Sequence, residues 1–129
     1  MDFTDTPEEA AFRAKARGFL SANAETKSSG NRNLATGWNK DEALAAARAW
    51  QARKAAGGFA CITMPKEYGG PGLSPILQGI YNQEEANYVA PRGGYEIGLG
   101  TCIPTLPAHA PGQQKQRHAP PAARGEAIW

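Results

Sequence analysis

A chain of 129 residues supports one domain with its own core, but its apolar share of 41% leans on alanine, so each buried side chain contributes little at roughly 25 cal/mol per Å². Its 14 basic and 12 acidic residues give a formal charge of +2, with no like-charge block and no basic patch interleaved with aromatics, which argues against a nucleic-acid partner. No apolar stretch approaches the ~20 residues that span a bilayer, and the acidic start Met1-Asp2-Phe3-Thr4-Asp5 is unlike a signal peptide, so a soluble protein of a cytosolic or matrix-type compartment is expected.

The first helix is signposted by Thr6-Pro7-Glu8-Glu9: an N-cap, a proline at the first helical position and a glutamate at the third. Phe12, Ala16, Phe19 and Leu20 then form one apolar stripe, and the helix is expected to run to about Ala24. Residues 26–37 are polar and read as a loop. A second helix is expected from near Asn39, with Glu42 completing another capping box, through Leu44, Ala47 and Trp50 to about Ala56, where Gly57-Gly58 ends it. Phe59 to Thr63 is a short apolar connector.

The run Met64-Pro65-Lys66-Glu67-Tyr68-Gly69-Gly70-Pro71-Gly72-Leu73 excludes a regular helix or a central strand. Its prolines remove backbone donors and its glycines favour turns. It reads as a shaped loop. Ser74-Pro75 opens a third helix through Ile80 and Glu84 to about Tyr88. Pro91-Arg92-Gly93-Gly94 breaks the chain. A fourth helix is expected over Tyr95 to Cys102, broken at Pro104 and again at Pro107 and Pro111. Gln113 to His118 reads as a short helix, Pro120-Pro121 as one more turn at most, and Glu126 to Trp129 as the start of a strand. The pattern predicts an all-α bundle of four to five helices.

No catalytic constellation is complete. Tyr68 to Gly72 lacks the Gly-Lys-Ser/Thr ending of a phosphate loop, and Ile103 stands where a dinucleotide fingerprint over Gly98 to Ile103 needs its third glycine. His109 and His118, the two histidines, have no metal-ligand spacing and read as surface or helix-end residues. Cys61 and Cys102 read as buried free thiols. Glu84 and Glu85, adjacent on a helix, diverge by about 100° and cannot face each other as a carboxylate pair. One is expected in solvent and the other in a buried helix–loop hydrogen bond. Trp38, Trp50, Phe12, Phe19 and Phe59 read as core, whereas Trp129, with nothing after it to fold over it, suggests a larger fold.

The segment from Trp50 through Gly57-Gly58-Phe59 to Met64-Pro65-Lys66-Glu67-Tyr68-Gly69-Gly70 resembles a signature of the acyl-CoA dehydrogenase family, with Met64 where that family often has tryptophan. Glu84-Glu85 resembles the glutamate pair of its next helix. Gly98-Leu99-Gly100 with Pro104 to His109, Gln114-Lys115 and Gly125 to Trp129 follow in the family's order, and Thr6 to Glu9 resembles its start. The resemblance covers nearly the whole chain.

The resemblance implies flavoenzymes that use FAD and a glutamate base to take hydrogens from Cα and Cβ of an acyl-CoA thioester in fatty acid oxidation. Electrons pass on to an electron-transfer flavoprotein. The implied fold is a helical N-terminal domain, a middle β domain and a C-terminal bundle, usually in a homotetramer. Residues 1–129 correspond to the first part alone, so no catalytic, cofactor-binding or metal-binding residue is assigned. By position, Tyr95, Leu99 and Ile103 are expected to face the acyl-chain cavity; an apolar helix face buried against another domain would give the same sequence. Ala110-Pro111-Gly112 replaces a capping turn of the family, and Ala119, Ala122 and Ala123 stand where larger aliphatics are usual. These changes bear on whether 104–125 packs as it does in the family's full enzymes. The expected function is the N-terminal part of a truncated acyl-CoA dehydrogenase, inactive alone. The rival expectations are a non-catalytic helical module docking on a full-length dehydrogenase subunit, or a decaying remnant.

Overall fold

The computed structural model describes residues 4–26, 40–91, 95 and 97–127. The expectations for Trp38, the loop after Thr26, the start of the second helix at Asn39 and the strand start at Ile128-Trp129 lie outside the described residues. Among the described residues five α-helices follow one another: α1 Pro7–Asn23, α2 Lys40–Gly57, α3 Pro75–Glu85, α4 Ile103–His109 and α5 Gly112–Ala123. A 3₁₀ turn, Lys66–Tyr68, and a π-helical segment, Gly98–Cys102, complete the order. Among the described residues there is no strand, only an isolated bridge between Thr26 and Tyr88, and no helix long and apolar enough to cross a membrane.

The caps form as the sequence predicts. Thr6 accepts from the Glu9 amide at 3.2 Å while the Glu9 carboxylate accepts from the Thr6 amide at 3.0 Å. Ser74 accepts from the Leu77 amide to open α3. Gly58, at φ +82°, closes α2.

Two apolar clusters organise the chain. The first joins Ala16 and Leu20 of α1, Trp50 of α2, Phe59, Ile62 and Tyr81 of α3, with Phe12 and Phe19 packed against them. The Phe59 ring stacks on Tyr81 at 5.2 Å and meets Phe19 at 4.8 Å. The second joins Met64, Ile103, Ala119 and Ala122, flanked by Tyr68, Leu99 and Leu106. Met64, at the head of the glycine-proline loop, ties that loop to α4 and α5.

Two expectations are corrected. Pro104 and Pro107 do not break the fourth helix. The π turn before it places the Ile103 amide on the Gly98 carbonyl, five residues back, and this wider turn gives the Pro104 ring room at the helix start. Pro120 and Pro121 do not end the fifth helix, which runs to Ala123. The carbonyls they leave without α-helical donors belong to Gln116 and Arg117, which are exposed, so water can satisfy them. Within residues 104–125, Ala119, Ala122 and Ala123 are at most 1% exposed. Small side chains here let α5 approach the loop closely. A Cβ on Gly69 would lie 3.1 Å from the Pro120 backbone. The missing cap is a fact of the structure, since Pro111 opens α5 with no side-chain hydrogen bond.

Candidate functional site: a cavity between the helices

The loop Met64–Leu73 is folded back on itself. The Gly72 amide donates to the Met64 carbonyl and the Leu73 amide to the Ile62 carbonyl, both at 2.8 Å. A side chain on Gly70 would strike the carbonyls of Met64 and Cys61, so this glycine is needed for close approach rather than for an open ligand cradle. The loop therefore holds the connector Phe59–Thr63 against α2 and α3.

Beside it lies a cavity of about 770 Å³, within the range of small-molecule sites. One side is apolar, made by Met64, Tyr95, Leu99, Pro104 and Pro107. The other is the seam of α2 and α3, which contributes Trp50, Gln51, Lys54, Gln78 and Glu85. Two of the three residues expected at an acyl-chain cavity, Tyr95 and Leu99, line it. The third, Ile103, is fully buried in the second cluster, away from the cavity lining. Tyr95 is anchored: its hydroxyl donates to the Gly125 carbonyl at 2.7 Å, and burial pushes the phenol up.

The glutamate pair departs from expectation. Both are buried, Glu84 at 6% exposure and Glu85 at 2%. Their divergence sends them to different helices. Glu84 accepts from Arg13 Nη1 and Arg17 Nε of α1, each at 2.8 Å. Arg13 also grips Asp5. The Arg17 hydrogen bond, seconded by Arg13, holds the Glu84 carboxyl below the usual carboxylate range. Glu85 turns to α2, with Lys54 Nζ 3.4 Å from its Oε2. The same ammonium lies 5.5 Å from the Tyr81 ring centroid, in cation–π range. Glu84 thus clips α1 to α3, and Glu85 sits at the cavity. The Lys54–Glu85 pair has no local sequence signal, because the two residues lie 31 positions apart on different helices.

Cys61 and Cys102 are free and partly buried. Cys61 lines the cavity, and burial raises its thiol. His109 is exposed at the end of α4. Among the described residues no group of three or more His, Cys, Asp or Glu could hold a metal ion.

A family model described as acyl-CoA dehydrogenase, N-terminal domain, matches residues 6–126. The chain belongs to the acyl-CoA dehydrogenase family. Within it, the chain is 33% identical over 118 residues to the acyl-CoA dehydrogenase IpdE1 of Mycobacterium tuberculosis, covering 92% of this chain and 31% of that protein. It is 30% identical to IpdE1 of Mycolicibacterium smegmatis, covering 92% and 30%. The chain therefore spans less than a third of the length of these acyl-CoA dehydrogenases. Its fold matches the crystal structure of the ChsE4-ChsE5 complex from Mycobacterium tuberculosis with TM-score 0.68 at 25% identity, over 98% of this chain and 30% of that one. It also matches an acyl-CoA dehydrogenase from Geobacillus kaustophilus with TM-score 0.65 at 21% identity, over 99% and 31%; this second likeness speaks to fold alone.

Proposed function

We propose that residues 1–129 act as the N-terminal helical domain of an FAD-dependent acyl-CoA dehydrogenase that performs α,β-dehydrogenation of an acyl-CoA thioester. In this reading the domain supplies part of the acyl-chain cavity and a packing surface for the rest of the enzyme. Turnover needs both, so the chain alone is inactive. The carrying observation is the family match over 6–126 together with a cavity of about 770 Å³ whose apolar side includes Tyr95 and Leu99. Ile103 supports that side from behind, fixing the helix that presents Leu99. The complete enzyme would be a homo-oligomer passing electrons to an electron-transfer flavoprotein.

The family implies FAD, but the residues present do not fit it as a flavin cradle. Gly69 and Gly70, which would have to admit a pyrophosphate, are packed against Pro120, Met64 and Cys61. Gln51 is committed to the Ala123 carbonyl at 2.8 Å. The chain's own contribution is therefore to bind and orient the acyl group and to exclude water from it.

A chimaera tests this reading. Residues 6–126 replace the matching segment of the Mycobacterium tuberculosis IpdE1. A flavin-loaded chimaera that bleaches its flavin with an acyl-CoA supports the reading. A folded, flavin-loaded chimaera with no response to any acyl-CoA contradicts it, as would acyl-CoA oxidation by the 129-residue chain alone.

A further inference from the structure

We propose that Lys54 is a specificity-determining residue of the cavity, selecting acyl groups that carry a hydroxyl or keto oxygen over plain alkyl chains. The inference rests on the reading of this cavity as an acyl site. It deepens that reading by assigning the cavity's polar side a task.

A cavity evolved only for an alkyl chain gains nothing from an ion pair in its wall, because desolvating both charges costs free energy that a hydrocarbon does nothing to recover. This cavity holds such a pair. Glu85 is 2% exposed and the Lys54 side chain 18% exposed, and both line the cavity. The ammonium carries three N–H donors. Glu85 Oε2 lies at 3.4 Å and the Tyr81 ring beneath it, so the cation is held in place at the wall. One turn earlier on α2, Trp50 also lines the cavity, and its buried indole N–H has no hydrogen-bond partner among the described residues. By contrast, Gln78 on the same side is occupied, donating to Asn82 at 2.9 Å.

The α2 wall therefore offers the Lys54 ammonium as a donor, with Glu85 as the counter-charge that orients it, whereas the Trp50 N–H is buried away from the cavity space. The complementary ligand feature is an oxygen acceptor. A neutral oxygen suits it better than a carboxylate, which would compete with Glu85 for the same ammonium and meet its repulsion. The opposite, apolar side of Met64, Leu99 and Pro104 accommodates the hydrocarbon part of the same acyl group.

The experiment uses the full chain and three probes: octanoyl-CoA, 7-oxooctanoyl-CoA and 8-hydroxyoctanoyl-CoA. Affinity is read by NMR shift perturbation of cavity-lining residues. The expected result is that at least one oxygenated ester binds about tenfold more tightly than octanoyl-CoA, the size of one charge-assisted hydrogen bond. The double variant Lys54→Met/Glu85→Gln removes both charges of the pair. It is expected to erase that preference. Equal preference in the folded double variant overturns the role of Lys54. If circular dichroism shows the double variant unfolded, the wild-type comparison decides: binding without preference for oxygen overturns the inference and leaves the acyl-site reading intact. Failure of all three esters to perturb the cavity overturns the acyl-site reading, and this inference with it.

Discussion

Glu84→Gln tests the clip between α1 and α3. The Glu84 carboxylate accepts one hydrogen bond from Arg13 and one from Arg17, each at 2.8 Å, and is nearly inaccessible to water. Glutamine keeps the shape and one acceptor but loses the charge. No cation is then stranded in the interior: Arg13 retains Asp5 at 2.6 Å and Gln83 at 3.2 Å, and the Arg17 side chain is already 63% exposed. The cost is therefore that of weakened charge-assisted hydrogen bonds, about 2 kcal/mol, rather than the 3–5 kcal/mol typical of an orphaned buried charge. For a domain of this size that lowers Tm by roughly 6–10 °C at pH 7. The pH dependence supplies a second readout. Glu84 titrates below its ordinary value of 4.5 in the folded chain, chiefly through Arg17 and then Arg13. A depressed folded pKa gives stability that is fully present above about pH 4.5 and lost as pH falls through the folded value. Thermal melts of both proteins by circular dichroism should show a Tm gap that is full at pH 7 and narrows as pH falls below 4.5. A gap that is absent at pH 7, or undiminished at pH 3, refutes the reasoning.

Three further outcomes are expected. Leu20→Ala empties a fully buried position between α1 and the aromatic cluster and should cost about 3 kcal/mol, measured by urea denaturation. Gly70→Ala drives a methyl into the Met64 and Cys61 carbonyls and should destabilise by about 1–3 kcal/mol, with the cavity resonances of Met64 shifting in NMR spectra. Cys61, whose thiol burial raises above its ordinary value of 9.0, should react with iodoacetamide along a pH profile displaced upward from that of a free thiol.

Local signals made the helices legible. The Thr6 capping box, the Ser74-Pro75 start and the Gly57-Gly58 stop each form where the sequence places them, because they depend on residues within one turn. The helix pattern with its short links carried the fold class, and the resemblance on Met64 to Gly70 carried the family. Three features depend on long-range context that no local motif reports. Proline was treated as a stop signal, yet the π turn at Gly98–Cys102 makes room for Pro104, and solvent compensates for Pro120 and Pro121. The alanines of α5 read locally as lost volume, whereas all three are buried and Ala119 and Ala122 join the second cluster. One of the adjacent glutamates reads locally as solvent-facing, because spacing along one helix does not reveal that α1 brings Arg13 and Arg17 to Glu84 and α2 brings Lys54 to Glu85. The cavity itself, assembled from residues 47 to 107, has no contiguous sequence signal.

The most direct test of the central claim is an NMR titration of the full chain with octanoyl-CoA, with methyl groups and backbone amides both observed. The account predicts perturbations concentrated on Met64, Tyr95 and Leu99, with the Phe12 side of the aromatic cluster unchanged. Saturable binding that perturbs residues elsewhere and leaves Tyr95 and Leu99 unmoved would contradict it.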